Sequence, residues 1–303
     1  MSNKLMKLFI ITMVFLAIAV PLSGCTTEQG ATATPTATPL PSTGPAQTLK
    51  LATTTSVNDS GLLGYILPDF EKENNVKVQI LSAGSGQAIA YGTSGDVDVL
   101  IVHSPAAEKT FMDQGHGWNK TQIAHNFYVI VGPASDPAGI KGLNATEAYS
   151  KIAEKQVPFV ARQDASGTDS KNKDIWNKSS LKAVPSNKTN SWYIGTGTGM
   201  GDALRLANEK QAYTLSDIST FLSLQKNLDL VVLVENDPSM LINKYDVIAV
   251  NQTEYPSVNY PMAKKLVDYL TSQSCQQKIA KYGQAQYGRP LFYADLLNNT
   301  TSK

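Results

Sequence analysis

From residue 48 onward, apolar positions fall into two alternating rhythms. Residues 49–52 form a short strand-like run, apolar except for Lys50. Residues 60–73 then carry Leu62, Leu63, Ile66, Leu67 and Phe70 at helical spacing. Strand patterns recur over 77–81, 98–102, 126–132, 157–161, 228–234 and 245–250. Helical patterns recur over 87–91, 148–154, 171–176, 200–208, 215–222, 261–270 and 275–282. The run 98–102 opens on Asp98 and is apolar without a break over 99–102, as in a strand covered on both faces. Strand and helix alternating in this order predict parallel βαβ units and an α/β fold. The segments around 127–131 and 245–250 are natural crossovers between two lobes. The expected division is 48–131 with 244–303 in lobe one and 132–243 in lobe two, leaving a ligand cleft between them.

The first 47 residues follow neither rhythm. Residues 1–24 read as an export signal: Lys4 and Lys7, then an apolar stretch too short for a comfortable membrane span. The stretch ends in Leu22-Ser23-Gly24-Cys25, which looks like a lipobox, so cleavage before Cys25 and a lipid on its sulfur are expected. Residues 25–47 are rich in Thr, Pro, Ala and Ser and are expected to form an extended tether. This address places the folded part outside the cell membrane and anchored to it.

Length and charge narrow the classes further. The chain has 303 residues, 42% hydrophobic and 17% charged, with a formal charge of +1. That suits two α/β lobes with packed cores and argues against wholesale disorder. No basic stripe is present to bind nucleic acid. The two cysteines, Cys25 and Cys275, exclude a disulfide framework and a Cys-based metal site once Cys25 is lipidated. Only three arginines occur, Arg162, Arg205 and Arg289, so an Arg inside a tight motif stands out.

Such motifs cluster where strands hand over to helices, the place where open α/β sheets bind ligands. Thr53-Thr54-Thr55-Ser56 follows the first strand and Ser82-Ala83-Gly84-Ser85-Gly86 the second. Arg162-Gln163-Asp164-Ala165-Ser166-Gly167-Thr168 follows the first main strand of lobe two. Gly195-Thr196-Gly197-Thr198-Gly199 precedes a helix. Hydroxyls, close-approaching Gly backbone and helix N-termini suit an oxyanion, and one Arg supplies a fork of donors. Ser and Thr before a helix are also ordinary caps. It is the recurrence of such loops at strand ends that favours a ligand.

These residues carry a resemblance. Ala52-Thr53-Thr54-Thr55-Ser56 with Ser60-Gly61-Leu62-Leu63 resembles the first motif of the tungstate-binding proteins of ABC importers. The run from Gly95-Asp96-Val97-Asp98 to His103-Ser104-Pro105 is similar to a second motif. Arg162-x-Asp164-x-Ser166-Gly167-Thr168 is similar to a third, and Gly199-Met200-Gly201 with the stretch from Ala207 to Leu215 to a fourth. The match covers most of 48–292. It implies a type II periplasmic-binding-protein fold and an oxyanion ligand, tungstate first and molybdate second. It also implies an ABC permease with its ATPase as partner, a monomeric binding protein, and no metal cation or other cofactor. By motif, the anion donors would be Thr53, Thr54, Thr55, Ser56 and Ser85 from lobe one. Arg162, Ser166, Gly167 and Thr168 would close from lobe two, with Thr198 as a further contributor.

Other chemistry finds less support. His103, His116 and His125 lack metal-ligand spacing. No phosphate loop of the Gly-x-x-x-x-Gly-Lys type and no Gly-x-Ser-x-Gly elbow occurs. A serine hydrolase in lobe two would need a base, and no His follows Arg162. The expected activity is therefore binding without catalysis. Phosphate or sulfate capture, an enzyme acting on anionic substrates, and an adhesion or sensor domain are the alternatives.

Overall fold

The computed structural model describes residues 47–297. The export signal, Cys25 and nearly all of the tether lie outside the described residues. β1 (Gln47–Thr54) leads into α1 (Thr55–Asp59) and α2 (Leu62–Asn74). β2 (Val76–Ala83) leads into α3 (Ser85–Thr93), and β3 (Val99–Val102) into α4 (Pro105–Asp113). The long β4 (Gly117–Pro133) follows. Next come α5 (Ala145–Lys155), β5 (Phe159–Ala161), α6 (Gly167–Lys178), β6 (Tyr193–Gly195) and α7 (Met200–Lys210). β7 (Tyr213–Asp217), α8 (Ile218–Leu224), β8 (Leu230–Val234) and β9 (Ile242–Val250) complete the second half. The chain closes with α9 (Tyr260–Thr271), α10 (Gln273–Lys281), α11 (Gln284–Tyr287) and the short β10 (Tyr293–Ala294).

Two sheets share β4. In the first, β2, β1 and β3 are parallel, and β9 and β4 continue antiparallel beside β3. β10 pairs with β4 near His125. In the second, β4 is antiparallel to β7 and β8, and β7, β5 and β6 are parallel. The change of sheet falls between Phe127, which pairs with Ile242, and Tyr128, which pairs with Asp217. Residues 128–131 thus belong to the second sheet, four residues earlier than the boundary expected from the sequence.

Side chains alternate across each strand, so each sheet has two apolar faces to cover. Leu49, Leu51, Val99, Ile101, Val247 and Ala249 face α2, α9 and α10. Ala52, Leu100, Val102, Ile248 and Val250 face α3 and α4. In the second sheet Tyr128, Ile130 and Phe159 face α5 and α6, while Val129, Val131 and Val160 face α7 and α8. All four residues of β3 are buried, as its unbroken apolar run predicts.

Three local expectations change. The helix expected over 215–222 begins only at Ile218, because Tyr213–Asp217 form β7, a fully buried strand. Tyr213 and Leu215 alternate with Thr214 and Ser216, but over only four residues, and Leu215 also fits the helical spacing of the run that follows. β4 also starts nine residues before its apolar core: residues 117–125 pair with β9 while partly facing water. The helix expected over 60–73 begins at Leu62, after Gly61 at φ +78°, and a separate short helix, α1, precedes it where the sequence suggested only a loop.

Candidate oxyanion-binding site

Six helices begin at the carboxyl ends of strands: α1 after β1, α3 after β2, α4 after β3, α6 after β5, α7 after β6 and α8 after β7. Parallel strands with short exits bring these ends to one edge of each sheet, and their N–H groups carry partial positive charge. Capping differs among the helices. α5, α9 and α10, away from the strand ends, are capped by Asn144, Asn259 and Ser272. α1, α3 and α7 have no side-chain cap.

The first-sheet side of the site is a chain of neutral hydrogen bonds. Thr54 Oγ1 lies 3.3 Å from Ser56 Oγ. Ser56 Oγ lies 3.0 Å from His103 Nε2. His103 Nδ1 lies 2.9 Å from Asn243 Oδ1 and 3.1 Å from Tyr128 Oη. The Asn243 amide donates to Asn126 Oδ1 and Tyr245 Oη, so its carbonyl oxygen accepts. His103 therefore donates from Nδ1, and its Nε2 accepts the proton of Ser56. Burial pushes the imidazole down to about 4, against the opposing pull of Asp217 and the Asn243 bond and with a smaller push from Arg162. The ring stays neutral at ordinary pH.

The second-sheet side carries the charge. Arg162, 4% exposed, donates from Nη2 to Asp164 Oδ2 at 2.5 Å and from Nη1 to Thr168 Oγ1 at 3.3 Å. Its Nε is buried without a partner among the described residues. The loop that holds it is strained: Gln163 and Ala165 sit at φ +51° and +56°, a region non-glycine residues rarely adopt. Ser166 caps α6, accepting from the Asp169 N–H at 3.2 Å. The sides meet where the Gly167 N–H donates to Ser85 Oγ at 3.0 Å. A Cβ on Gly167 would stand 2.8 Å from His103 Cε1, so only glycine admits this approach.

These contacts link Thr54, Ser56, Ser85, Arg162, Ser166, Gly167 and Thr168 into one site. Three expected donors stand apart. The Thr53 hydroxyl is fully buried and donates to the Ile101 carbonyl at 2.8 Å, tying β1 to β3. Thr55 lines a neighbouring cavity of about 330 Å³, beside Gly199, Met200 and Thr220. Thr198 is exposed, its N–H held by Thr196 Oγ1. Alternation along an extended segment explains the first pair: Thr53 faces the sheet and Thr54 does not.

The sequence reading missed four polar residues of the site: His103, Tyr128, Asn243 and Asp217. The sequence reads His103 as a surface or core histidine rather than a metal ligand, and it directly follows β3 within a motif-bearing run. Asp217 is fully buried and caps α8, accepting from the Thr220 N–H at 2.9 Å and the Thr220 hydroxyl at 2.7 Å. An Asp followed by an apolar helical run was a readable signal for it. Tyr128 and Asn243 lie on β4 and β9, and nothing local in the sequence marks them.

With this geometry in view, the comparisons with known proteins are specific. A PBP superfamily domain matches residues 31–274. A tungstate-binding protein TupA from Peptoclostridium acidaminophilum is 38% identical over 288 residues, covering 94% of this chain and 96% of that protein. The tungstate-binding protein TupA of Campylobacter jejuni is 36% identical, covering 79% and 88%. Among solved structures, the tungstate ABC transporter protein of Geobacter sulfurreducens is 42% identical, with a TM-score of 0.71 over 78% of this chain and 98% of that one. The fold and site thus define a type II periplasmic-binding-protein fold. The chain belongs to the TupA family of that superfamily.

Proposed function

We propose that this protein captures tungstate between its two lobes and delivers it to an ABC permease driven by its ATPase. The observation that carries the reading is Arg162: a buried guanidinium beside the Thr168 hydroxyl whose Nε lacks a partner among the described residues. A tetrahedral dianion needs donors from several directions and partial neutralisation, and this set supplies both. Thr54, Ser56, Ser85, Arg162, Gly167 and Thr168 are the proposed contacts. Cys25 would carry the lipid that holds the protein at the outer face of the cell membrane, and the protein would work as a monomer. Among the described residues no helix is long and apolar enough to cross a membrane.

One observation favours a second reading. Ser56, His103 and Asn243 are arranged as nucleophile, base and orienting group, with His103 on the first-sheet side rather than in lobe two. His103, however, is pushed down to about 4 and is a poor base at neutral pH. The binding reading therefore stands, and no reaction is expected.

Calorimetric titration with tungstate, molybdate, sulfate and phosphate tests it. Tight one-to-one tungstate binding with sulfate and phosphate silent is the expected result. Heat from none of the four, or a burst of p-nitrophenol from p-nitrophenyl acetate that Ser56→Ala abolishes, would overturn it.

A further inference from the structure

A wide cavity lined by charged residues lies beside the anion site. It measures about 650 Å³, roughly twice the cavity next to Thr55. Its walls come from both sheets. Pro105, Ala106 and Ala107 at the start of α4 form one side, and Ile242 of β9 another. α6 contributes Gly167, Ser170, Lys171 and Asp174, the i, i+3, i+4, i+7 stripe of one helical face. Thr168 and Asn172 leave α6 from a different side, toward Arg162. His103 stands between the two spaces: its Nε2 meets Ser56, and its ring also lines this cavity.

The charge in this cavity is unbalanced. Lys173 and Lys178, also on α6, are paired with Asp169 and Asp174. Lys171 and Lys244, which line the cavity, have no ion pair among the described residues. Lys171 is half-buried, and burial lowers its pKa although Asp174 and Asp237 act to raise it. A cation drawn partly out of water without a partner is costly unless a ligand compensates it. The α4 N-terminus does not supply the positive charge, because Glu108 already accepts from the Ser104 N–H at 2.5 Å.

We propose that this cavity is a second binding site, for a small organic carboxylate. Its anionic end lies between Lys171 and Lys244, and its apolar body lies against Pro105, Ala106 and Ile242. A bare tetrahedral oxyanion would leave the apolar walls unused and most of the volume unfilled. The inference does not depend on which anion occupies the Arg162 site.

The test is calorimetric titration of 2-naphthoate into the protein saturated with tungstate. One site is expected, with uncharged 2-naphthalenemethanol binding about tenfold more weakly or not at all. Replacing both lysines, Lys171→Gln with Lys244→Gln, should weaken naphthoate about tenfold or more. Ala106→Trp should fill the cavity and abolish naphthoate binding while tungstate binding, read in the same cell, shows the variant folded. The proposal is overturned if naphthoate gives no heat, or if the alcohol binds as tightly. It is equally overturned if tungstate displaces naphthoate one for one, or if the variants bind naphthoate as the parent does.

Discussion

The two sides of the anion site are built on opposite principles. The first-sheet side is neutral and held in regular geometry: Thr54, Ser56 and His103 form a hydrogen-bonded chain anchored on β4 and β9 by Tyr128 and Asn243. The second-sheet side is charged and strained: Arg162 is flanked by residues at positive φ and braced by Asp164. The contrast teaches a division of labour. In the proposed site, charge-assisted donors on the second side would supply most of the attraction, while the first side would fix direction without adding charge to be desolvated. The strained loop is held in place by Ser166 capping α6 and by the Asp164 side chain, which accepts from the Ser166 N–H.

Variants that break this contrast should rank by how much charge or closure they remove. Arg162→Ala removes the cation and leaves Asp164 unpaired; tungstate affinity should fall by about 3 kcal/mol, about a hundredfold, in calorimetry. An unchanged affinity would end the charge-based account. The next effect is on acid stability. The folded pKa of His103 is depressed to about 4 from 6.5, so its contribution is complete above pH 6.5 and is lost as pH falls toward 4. Glu108 acts in the opposite sense. Its carboxyl is pushed up to about 7, by burial first and then by Asp246 against Lys120, so its contribution fades as pH rises through that value. His103→Gln should therefore flatten the fall in stability between pH 6.5 and 4 by up to about 3 kcal/mol, read from denaturant midpoints at each pH.

Gly167→Ala places a Cβ against the His103 ring and 3.1 Å from its carbonyl oxygen. The sides must separate, so tungstate affinity should drop by about 1–3 kcal/mol and the scattering radius should rise. Thr53→Val should lower stability by about 1 kcal/mol through loss of the bond to Ile101, and leave tungstate affinity unchanged. That pair of results, read by thermal melting and calorimetry, separates Thr53 from its neighbour Thr54. Thr198→Ala, at an exposed position, should change neither by more than about 0.5 kcal/mol.

Much of this was legible along the chain. The alternation of β1, α2, β2, α3 and β3 and the apolar run of β3 follow from periodicity, a local property. Arg162 and Ser166 to Thr168 were legible because a strand exit into a helix start is written in consecutive residues. β7 was only weakly legible: its alternation of Tyr213 and Leu215 with Thr214 and Ser216 spans four residues and merges into the helical run of α8, and its polar residues face the protein interior rather than water. Thr53 and Thr54 are chemically identical in sequence, and only the pairing of β1 with β3 assigns one to the sheet.

The sequence by itself determined the α/β class, the loops at strand ends and the Arg that could answer an anion. These depend on neighbours within a few positions, where spacing and side-chain type suffice. The tertiary structure decided the rest: that Asn243 orients His103, 140 positions away, that Ser85 meets Gly167 across 82, and that Lys171 and Lys244 line one cavity. Such contacts depend on how two sheets are set against each other, which no local periodicity encodes.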